Sequence, residues 1–323
     1  MSLASPPLLE RPARRAAVFL PLVLLGAVVC ARAQVAKGGR IRTEVNLVSL
    51  TVSVEDATGR PVANLQREAF AVFDEGKRQE VAVFEAQTQQ PLDLALIIDT
   101  SGSVKPEVGF EREAALRFIR HVVRPQDGVA IYAMAENVER LSPYTSDKAV
   151  LEGGLKRMLP GLGTSLYDAI YLASGELARR PPGRRRVIVM VTDAGETTSR
   201  TTFEDARRSA LAAETLIYTI VVRAFKSEAL RDIAGEHAVA TITDSTGGAM
   251  FLADNLDQLD RLFSEIDYEL RTQYLLAFYP QPPPPKKSVR HLEVQVHVEP
   301  GSVEKIPLRI RHRREYLTDG AAE

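Results

Sequence analysis

The sequence predicts an α/β fold with a doubly wound, mostly parallel sheet, together with a β-rich, sandwich-like module formed by the flanking N- and C-terminal segments. Strand-like apolar runs alternate with helical patterns between residues 91 and 271, which is typical of a parallel sheet with crossover helices. Short strands separated by glycine and aspartate turns fill residues 34–90, and alternating strands return in residues 272–323. The simplest arrangement pairs the two end segments with each other.

The first 33 residues have the pattern of a signal peptide. Arg11, Arg14 and Arg15 precede the apolar run Ala16–Cys30. Ala31 and Ala33 then place small residues at the two positions that a signal peptidase reads before a cleavage after Ala33. We expect cleavage there and export to the periplasm, the cell surface or the extracellular space. An uncleaved anchor is the alternative, and only that alternative would bring the protein into contact with a membrane. The single cysteine of the chain lies in this run, so the mature protein is expected to have no disulfide.

Charge excludes one class of partner. The 323 residues carry 41 lysines and arginines against 42 aspartates and glutamates, a formal net charge of −1. Nucleic acids and anionic membrane surfaces attract proteins with a basic excess, and this chain has none. We therefore expect no nucleic-acid partner.

The N-terminal segment, residues 34–90, reads as strands. Arg42–Val54 alternates apolar and polar residues, and Asp56–Arg60 is a turn. Val62–Phe73 and Val81–Phe84 supply further strand-like residues on either side of a second turn. Short strands of this kind predict a small antiparallel sheet or sandwich.

The central segment, residues 91–271, begins with the apolar run Leu94–Ile98, which reads as a strand buried on both faces. The other strands are predicted at Gly128–Ala135, Arg186–Thr192, Leu216–Val222 and Ala249–Ala253.

Helical periodicity separates these strands. The segment Lys148–Leu159 has Ser146 or Asp147 as its cap. The basic segment Arg179–Arg186 is interpreted as a solvated loop. The remaining helices are predicted at Val108–Val123, Leu166–Ala178, Phe203–Glu214, Glu228–Gly235 and Leu256–Arg271.

The C-terminal segment, residues 272–323, returns to strands. Tyr274–Tyr279, Arg290–Val298 and Lys305–Arg311 read as an antiparallel set.

Three polar turns carry the candidate site. Asp99, Ser101 and Ser103 follow the first buried strand, Thr164 precedes a helix, and Asp193 follows the strand Arg186–Thr192. Loops at the carboxyl ends of adjacent parallel strands meet at one edge of the sheet. Two carboxylates and three hydroxyls at one point would suit a hard divalent cation and would leave a coordination position open.

These residues resemble the metal-ion-dependent adhesion site of the von Willebrand factor type A domain, also called the integrin I-like domain, which has a Rossmann-like fold. The family motif D-x-S-x-S is matched by Asp99, Ser101 and Ser103, and its distant threonine and aspartate are matched by Thr164 in G-T-S-L-Y-D and Asp193 in V-T-D. The usual T-D-G is T-D-A-G-E here. The flanking segments G-R-P-V-A-N-L and D-S-T-G-G-A-M-F resemble those of a group of exported bacterial type A-related proteins.

The resemblance implies a cation, Mg²⁺ with Mn²⁺ or Ca²⁺ as substitutes, that is bound directly by serine and threonine hydroxyls and through water by at least one aspartate. It also implies a protein partner whose Asp or Glu carboxylate completes the coordination shell, and no small-molecule substrate. The expectation is an exported, non-catalytic adhesion module.

Two other classes are weighed against this expectation. A metal-dependent hydrolase could use the same ion, but it needs a positioned base, and Glu196 is the only additional acid close to the three turns in sequence. A structural envelope protein with an unused site is the other alternative, and the intact ligand set argues against it.

Overall fold

The structure is a computed structural model that describes residues 47–86, 89–101, 105–223, 232–297 and 307–318. The predicted signal peptide, residues 1–33, lies outside the described residues, and so does Ser103. No helix within the described ranges is long and apolar enough to cross a membrane.

A six-stranded sheet forms the centre of the molecule. Five of its strands are parallel and one edge strand is antiparallel, in the order β10-β9-β8-β5-β6-β7. The strand β5 is buried along its whole length because it lies in the middle of the sheet with helices on both faces. The strands are β5 (Leu92–Asp99), β6 (Gly128–Met134), β7 (Val138–Arg140), β8 (Arg185–Thr192), β9 (Thr215–Val222) and β10 (Ala249–Ala253).

Six helices cover the two faces of this sheet. Alternate residues of β5 belong to different cores: Leu94 and Leu96 pack with α1, α2 and α6, whereas Ala95 and Ile97 pack with α3, α4 and α5. This alternation follows from the period of two in a strand, and it confirms the predicted doubly wound class. The helices are α1 (Lys105–Val122), α2 (Lys148–Lys156), α3 (Leu166–Ala178), α4 (Phe203–Ala212), α5 (Ile233–Thr246) and α6 (Leu259–Thr272).

Two four-stranded antiparallel sheets complete the fold, in the orders β13-β1-β11-β4 and β14-β12-β2-β3. Each takes two strands from before the central sheet and two from after it. Apolar residues of both sheets, among them Leu50, Phe70, Tyr274 and Leu292, form one shared core. The strands are β1 (Val48–Glu55), β2 (Phe70–Asp74), β3 (Lys77–Gln79), β4 (Val81–Glu85), β11 (Tyr274–Phe278), β12 (Val289–Val296), β13 (Arg309–Arg311) and β14 (Glu315–Leu317).

Among the residues that the structure describes, the three predicted C-terminal strands do not pair with one another. The strand β11 lies between β1 and β4, β12 lies between β14 and β2, and β13 pairs with β1. They pair with N-terminal strands because each sheet is assembled from both ends of the described chain.

The helix α5 extends well beyond the predicted segment Glu228–Gly235, of which residues 228–231 lie outside the described residues. Its second half, V-A-T-I-T-D-S-T, is rich in β-branched and hydroxyl residues, which weaken the helical pattern in a sequence. Burial of Val239 and Ile242 against the sheet stabilises the helix where the local helix propensity is weak. The helix ends at Gly247, which has a φ of +83°.

The basic segment Arg179–Arg186 is only in part the solvated loop that the sequence predicts: Arg179 and residues 181–183 are exposed, whereas the other arginines are partly or fully buried. Arg180 and Arg184 both pair with the buried carboxylate of Asp93, at N–O distances of 3.0 and 2.8 Å. Arg185 begins β8 and is 5% exposed. The prediction is incomplete because Asp93, which lies in an otherwise apolar run, gives Arg180 and Arg184 a buried counter-charge.

Candidate functional site

The candidate site lies at the carboxyl end of the parallel sheet, where β5 and β8 are neighbours. Asp99 is the last residue of β5, and Asp193 comes directly after β8. Parallel strands place their following loops at the same edge, so the two carboxylates approach each other although they are far apart in sequence.

Asp99 is a buried carboxylate with defined partners. Its Oδ1 accepts a hydrogen bond from the Ser101 amide at 3.0 Å, and its Oδ2 accepts one from the Thr192 hydroxyl at 2.7 Å. Burial raises the pKa of Asp99 to about 6; hydrogen bonds from Ser101 and Thr192 act against this rise, and the negative charge of Asp193 adds to it. The ionised form is disfavoured here because the carboxylate is desolvated beside a second carboxylate.

The turn that carries Thr164 is attached to the Asp99 turn by backbone hydrogen bonds. The Gly161 amide donates to the Thr100 carbonyl at 2.8 Å, and the Thr100 amide donates to the Met134 carbonyl at the end of β6 at 2.7 Å. The Ser165 amide and hydroxyl both donate to the Ala135 carbonyl, at 2.8 and 2.7 Å. Thr164 is therefore held between the ends of β5 and β6.

The same turn is attached to the loop that follows Asp193. The Thr164 amide donates to the Thr197 hydroxyl at 2.8 Å, and the Thr164 carbonyl accepts from the amides of Thr197 and Thr198 at 2.9 and 3.1 Å. Gly163, with a φ of +63°, allows the chain to turn into this position. Hydrogen bonds thus connect all three polar turns.

The loop after Asp193 departs from the expected T-D-G at Ala194. This residue is fully buried and has a φ of +63°, a conformation that glycine adopts without strain and alanine does not. Its amide donates to the Thr192 hydroxyl at 3.0 Å, and the Gly195 amide donates to Asp193 Oδ1 at 2.8 Å. These bonds support the strained turn and orient the Asp193 carboxylate.

The structure brings together the turns of four sequence-predicted ligands, namely Asp99, Ser101, Thr164 and Asp193. The fifth, Ser103, lies outside the described residues. Two positioning residues are absent from the sequence prediction. Thr192 bridges Asp99 and Ala194, and its place before Asp193 in V-T-D is a signal that could have found it. The Thr197 hydroxyl accepts a hydrogen bond from the Thr164 amide, and no sequence motif identifies this residue.

Glu196 has a structural position. Its Oε1 accepts from the amides of Thr198 and Ser199, and its Oε2 accepts from the Ser199 hydroxyl and the Tyr167 amide at the start of α3. A carboxylate with four such partners fixes the loop and the first turn of the helix.

The donor set fits a hard divalent cation. Within the described ranges, no group of three or more His, Cys, Asp or Glu side chains could hold a metal ion. A cation here would therefore depend on hydroxyls as well as on Asp99 and Asp193, and oxygen-only ligands suit Mg²⁺, Mn²⁺ and Ca²⁺. A cation would also offset the repulsion from Asp193, which adds to the rise in the pKa of Asp99 that burial causes.

Comparison with known proteins agrees with this class of α/β domain. A family model described as the von Willebrand factor type A domain matches residues 94–196, which include Asp99, Ser101, Thr164 and Asp193. This segment is therefore similar to a von Willebrand factor type A domain. None of the curated protein sequences compared with it matches.

Three solved structures illustrate the similarity. An aerotolerance-related membrane protein from Bacteroides fragilis is 19% identical, covering 55% of this chain and 98% of that chain, with a TM-score of 0.43. A von Willebrand factor type A protein from Catenulispora acidiphila is 11% identical, covering 87% and 76%, with a TM-score of 0.49. Proximal thread matrix protein 1 from the mussel byssus, with a zinc-occupied adhesion-site motif, is 16% identical, covering 60% and 48%, with a TM-score of 0.48.

Proposed function

We propose that this protein is an exported, non-catalytic binding module that captures an acidic side chain of a protein partner through a divalent cation. Asp99, Ser101, Thr164 and Asp193 would hold the cation, with Ser103 as the fifth ligand that the D-x-S-x-S spacing provides. The expected cation is Mg²⁺, with Mn²⁺ or Ca²⁺ as substitutes. When bound, the cation would supply a Lewis-acidic position for a carboxylate of the partner.

The observation that carries this proposal is the set of hydrogen bonds joining the three turns. Gly161 is bonded to Thr100, Thr197 is bonded to Thr164, and Thr192 is bonded to Asp99. Turns connected in this way hold their side chains in place before any cation arrives, and a site with prearranged ligands loses less conformational entropy on binding.

Few formal charges surround the proposed cation. Only Asp99 and Asp193 in the proposed ligand set are carboxylates, so a divalent ion would not be over-neutralised by the protein. Such an ion gains from one further anionic ligand, and an Asp or Glu of a partner provides it. The proposal of export rests on the signal-like pattern of residues 1–33.

A hydrolytic role would need a base near the cation. Glu196 is the nearest candidate by sequence, and its four hydrogen bonds favour a role in holding the loop. We therefore propose binding without catalysis.

Calorimetric titration with Mg²⁺ and Mn²⁺ tests the cation site. Asp99→Asn and Asp193→Asn remove one charge each and keep an oxygen that can accept the local amide hydrogen bond. We expect at least tenfold weaker binding of both ions, because each loses a charged ligand or a charged outer-sphere partner. Asp254→Asn is the matched control, since Asp254 is exposed and follows β10 at the same edge of the sheet. Wild-type affinity in both site variants would contradict the proposal.

A further inference from the structure

A polar cavity lies near the end of the parallel sheet that is opposite to the candidate cation site. Its volume is about 140 Å³, and it is lined by the first residues of β8 and β9, by β1 and β11, and by Arg313. Gly183 and Glu214 are exposed lining residues. The cavity therefore lies between the central sheet and the first antiparallel sheet, away from Asp99 and Asp193.

Arg185 is a buried cation whose hydrogen bonding is incomplete within the described structure. Its Nη1 donates to the Gln273 side chain at 2.9 Å, whereas its Nε and Nη2 have no hydrogen-bond partner there. These two groups lie on one edge of the guanidinium plane, and they form the fork that binds two oxygens of an oxyanion. Arg185 is 5% exposed, so solvent does not readily compensate this edge.

Other buried donors among the lining residues also have no hydrogen-bond partner in the described structure. The Thr215 hydroxyl, Arg186 Nε and Arg313 Nε are buried without a hydrogen-bond partner in the described structure. Arg186 Nη1 is occupied by the Ala213 carbonyl at 3.0 Å, and Arg313 Nη2 by the Ser49 carbonyl at 2.6 Å. Buried polar groups are normally hydrogen-bonded, and a cluster of unpaired donors indicates that an acceptor belongs there.

The charge of the lining also favours an anion. Four arginines and one carboxylate line the cavity. That carboxylate, Glu214, pairs with Arg313 at 2.9 Å, and Arg184 pairs with Asp93 at 2.8 Å. The charges of Arg185 and Arg186 are not neutralised by any carboxylate among the lining residues. Water could accept the hydrogen bonds, but only an anion would also offset these charges.

We propose that this cavity binds a small oxyanion, with two of its oxygens on the Nε–Nη2 edge of Arg185 and further contacts to Arg186, Arg313 and the Thr215 hydroxyl. A volume near 140 Å³ is several times what one water molecule requires, so the cavity has room for a small oxyanion. Because Ser49, Arg185 and Arg313 belong to different sheets or their connections, the anion stabilises the junction between the central sheet and the first antiparallel sheet.

The test is titration with inorganic phosphate, in EDTA and at constant ionic strength maintained with sodium chloride, followed by calorimetry and by thermal unfolding. Sulfate and acetate serve as parallel probes that separate tetrahedral oxyanions from carboxylates. We expect saturable binding of at least one of the three, with a rise in Tm that chloride does not reproduce. Binding should not require Mg²⁺, so this result is independent of the proposed cation site.

Three variants assign the binding to the cavity. Arg185→Met removes the fork, and Arg186→Gln removes a half-buried charge while keeping a donor for the Ala213 carbonyl; each should weaken anion binding at least tenfold. Arg179→Gln is the control, because Arg179 is exposed just beyond α3 and its loss changes net charge equally. Should Arg185→Met fail to fold, Arg186→Gln decides. Equal responses to all three anions and chloride, or equal affinities in Arg186→Gln and Arg179→Gln, would overturn the proposal.

Discussion

Replacing Glu269 should destabilise the protein strongly, because this carboxylate is the centre of a buried polar network. Glu269 lies on the inner face of α6 and is 4% exposed. Its Oε1 accepts from the hydroxyls of Ser53 and Tyr218, both at 2.7 Å, and its Oε2 accepts from Arg311 at 2.7 Å. The network therefore joins the last helix of the central unit to β1, β9 and β13.

The expected loss of stability follows from the burial of the ion pair between Glu269 and Arg311. Glu269→Ala removes the acceptor of Arg311 and of two buried hydroxyls at once. Breaking a buried ion pair by removing one partner costs about 3–5 kcal/mol, and the loss is kept in this range because Glu55 still contacts Arg311. Glu269→Gln keeps an oxygen acceptor and loses the charge, so its cost should be about 1.5–3 kcal/mol.

Urea denaturation monitored by circular dichroism measures both values. The control is Glu265→Ala on the same helix, where Glu265 pairs with Arg261 on the surface at 2.6 Å; exposed pairs of this type contribute less than about 1 kcal/mol. If Glu269→Ala and Glu265→Ala change the free energy of unfolding by the same amount, the network does not stabilise the junction.

Two further predictions concern local structure. Burial lowers the pKa of His312, whose Nε2 accepts from the Val294 amide and whose Nδ1 donates to the Arg313 carbonyl; the unfolded chain then binds the proton more readily. The free energy that the neutral ring contributes to folding is present above the ordinary pKa of 6.5 and is lost as the pH falls below it. His312→Gln should therefore flatten the pH dependence of the free energy of unfolding between pH 7 and 5. An unchanged slope would count against this prediction. Asp147 caps α2 by accepting from the amides of Ala149 and Val150, so Asp147→Ala should cost about 1 kcal/mol in denaturation experiments, whereas an equal loss in Ser146→Ala would show that the cap is misassigned.

The alternation of strands and helices could be predicted because apolar runs and helical periodicity are visible in the local sequence. The run that became β5 is apolar through its centre, and all eight of its residues are buried. The bounds of α3 match the prediction because a polar turn and a Pro-Pro-Gly break enclose a clear helical period. The second half of α5 could not be predicted, since its β-branched residues become helical through packing against the sheet.

The candidate site divides in the same way. The motif identifies Asp99 and Asp193 because each follows an apolar, strand-like run that can be recognised in the sequence. Thr197 escapes detection, since its hydrogen bonds with the Thr164 amide and carbonyl exist only after the turns meet. The anion cavity has no motif either; it depends on arginines whose burial is a consequence of how the two ends of the chain close around the central sheet.

Binding of Mn²⁺ to Thr164→Val, followed by electron paramagnetic resonance, is the most direct test of the proposed cation site. Valine keeps the shape of the buried side chain and the backbone bonds to Thr197 and Thr198, and it removes only the hydroxyl. We expect at least tenfold weaker Mn²⁺ binding with unchanged folding, because in the proposed site the Thr164 hydroxyl, distant in sequence from Asp99, would coordinate the ion. Wild-type affinity in this variant would contradict this expectation.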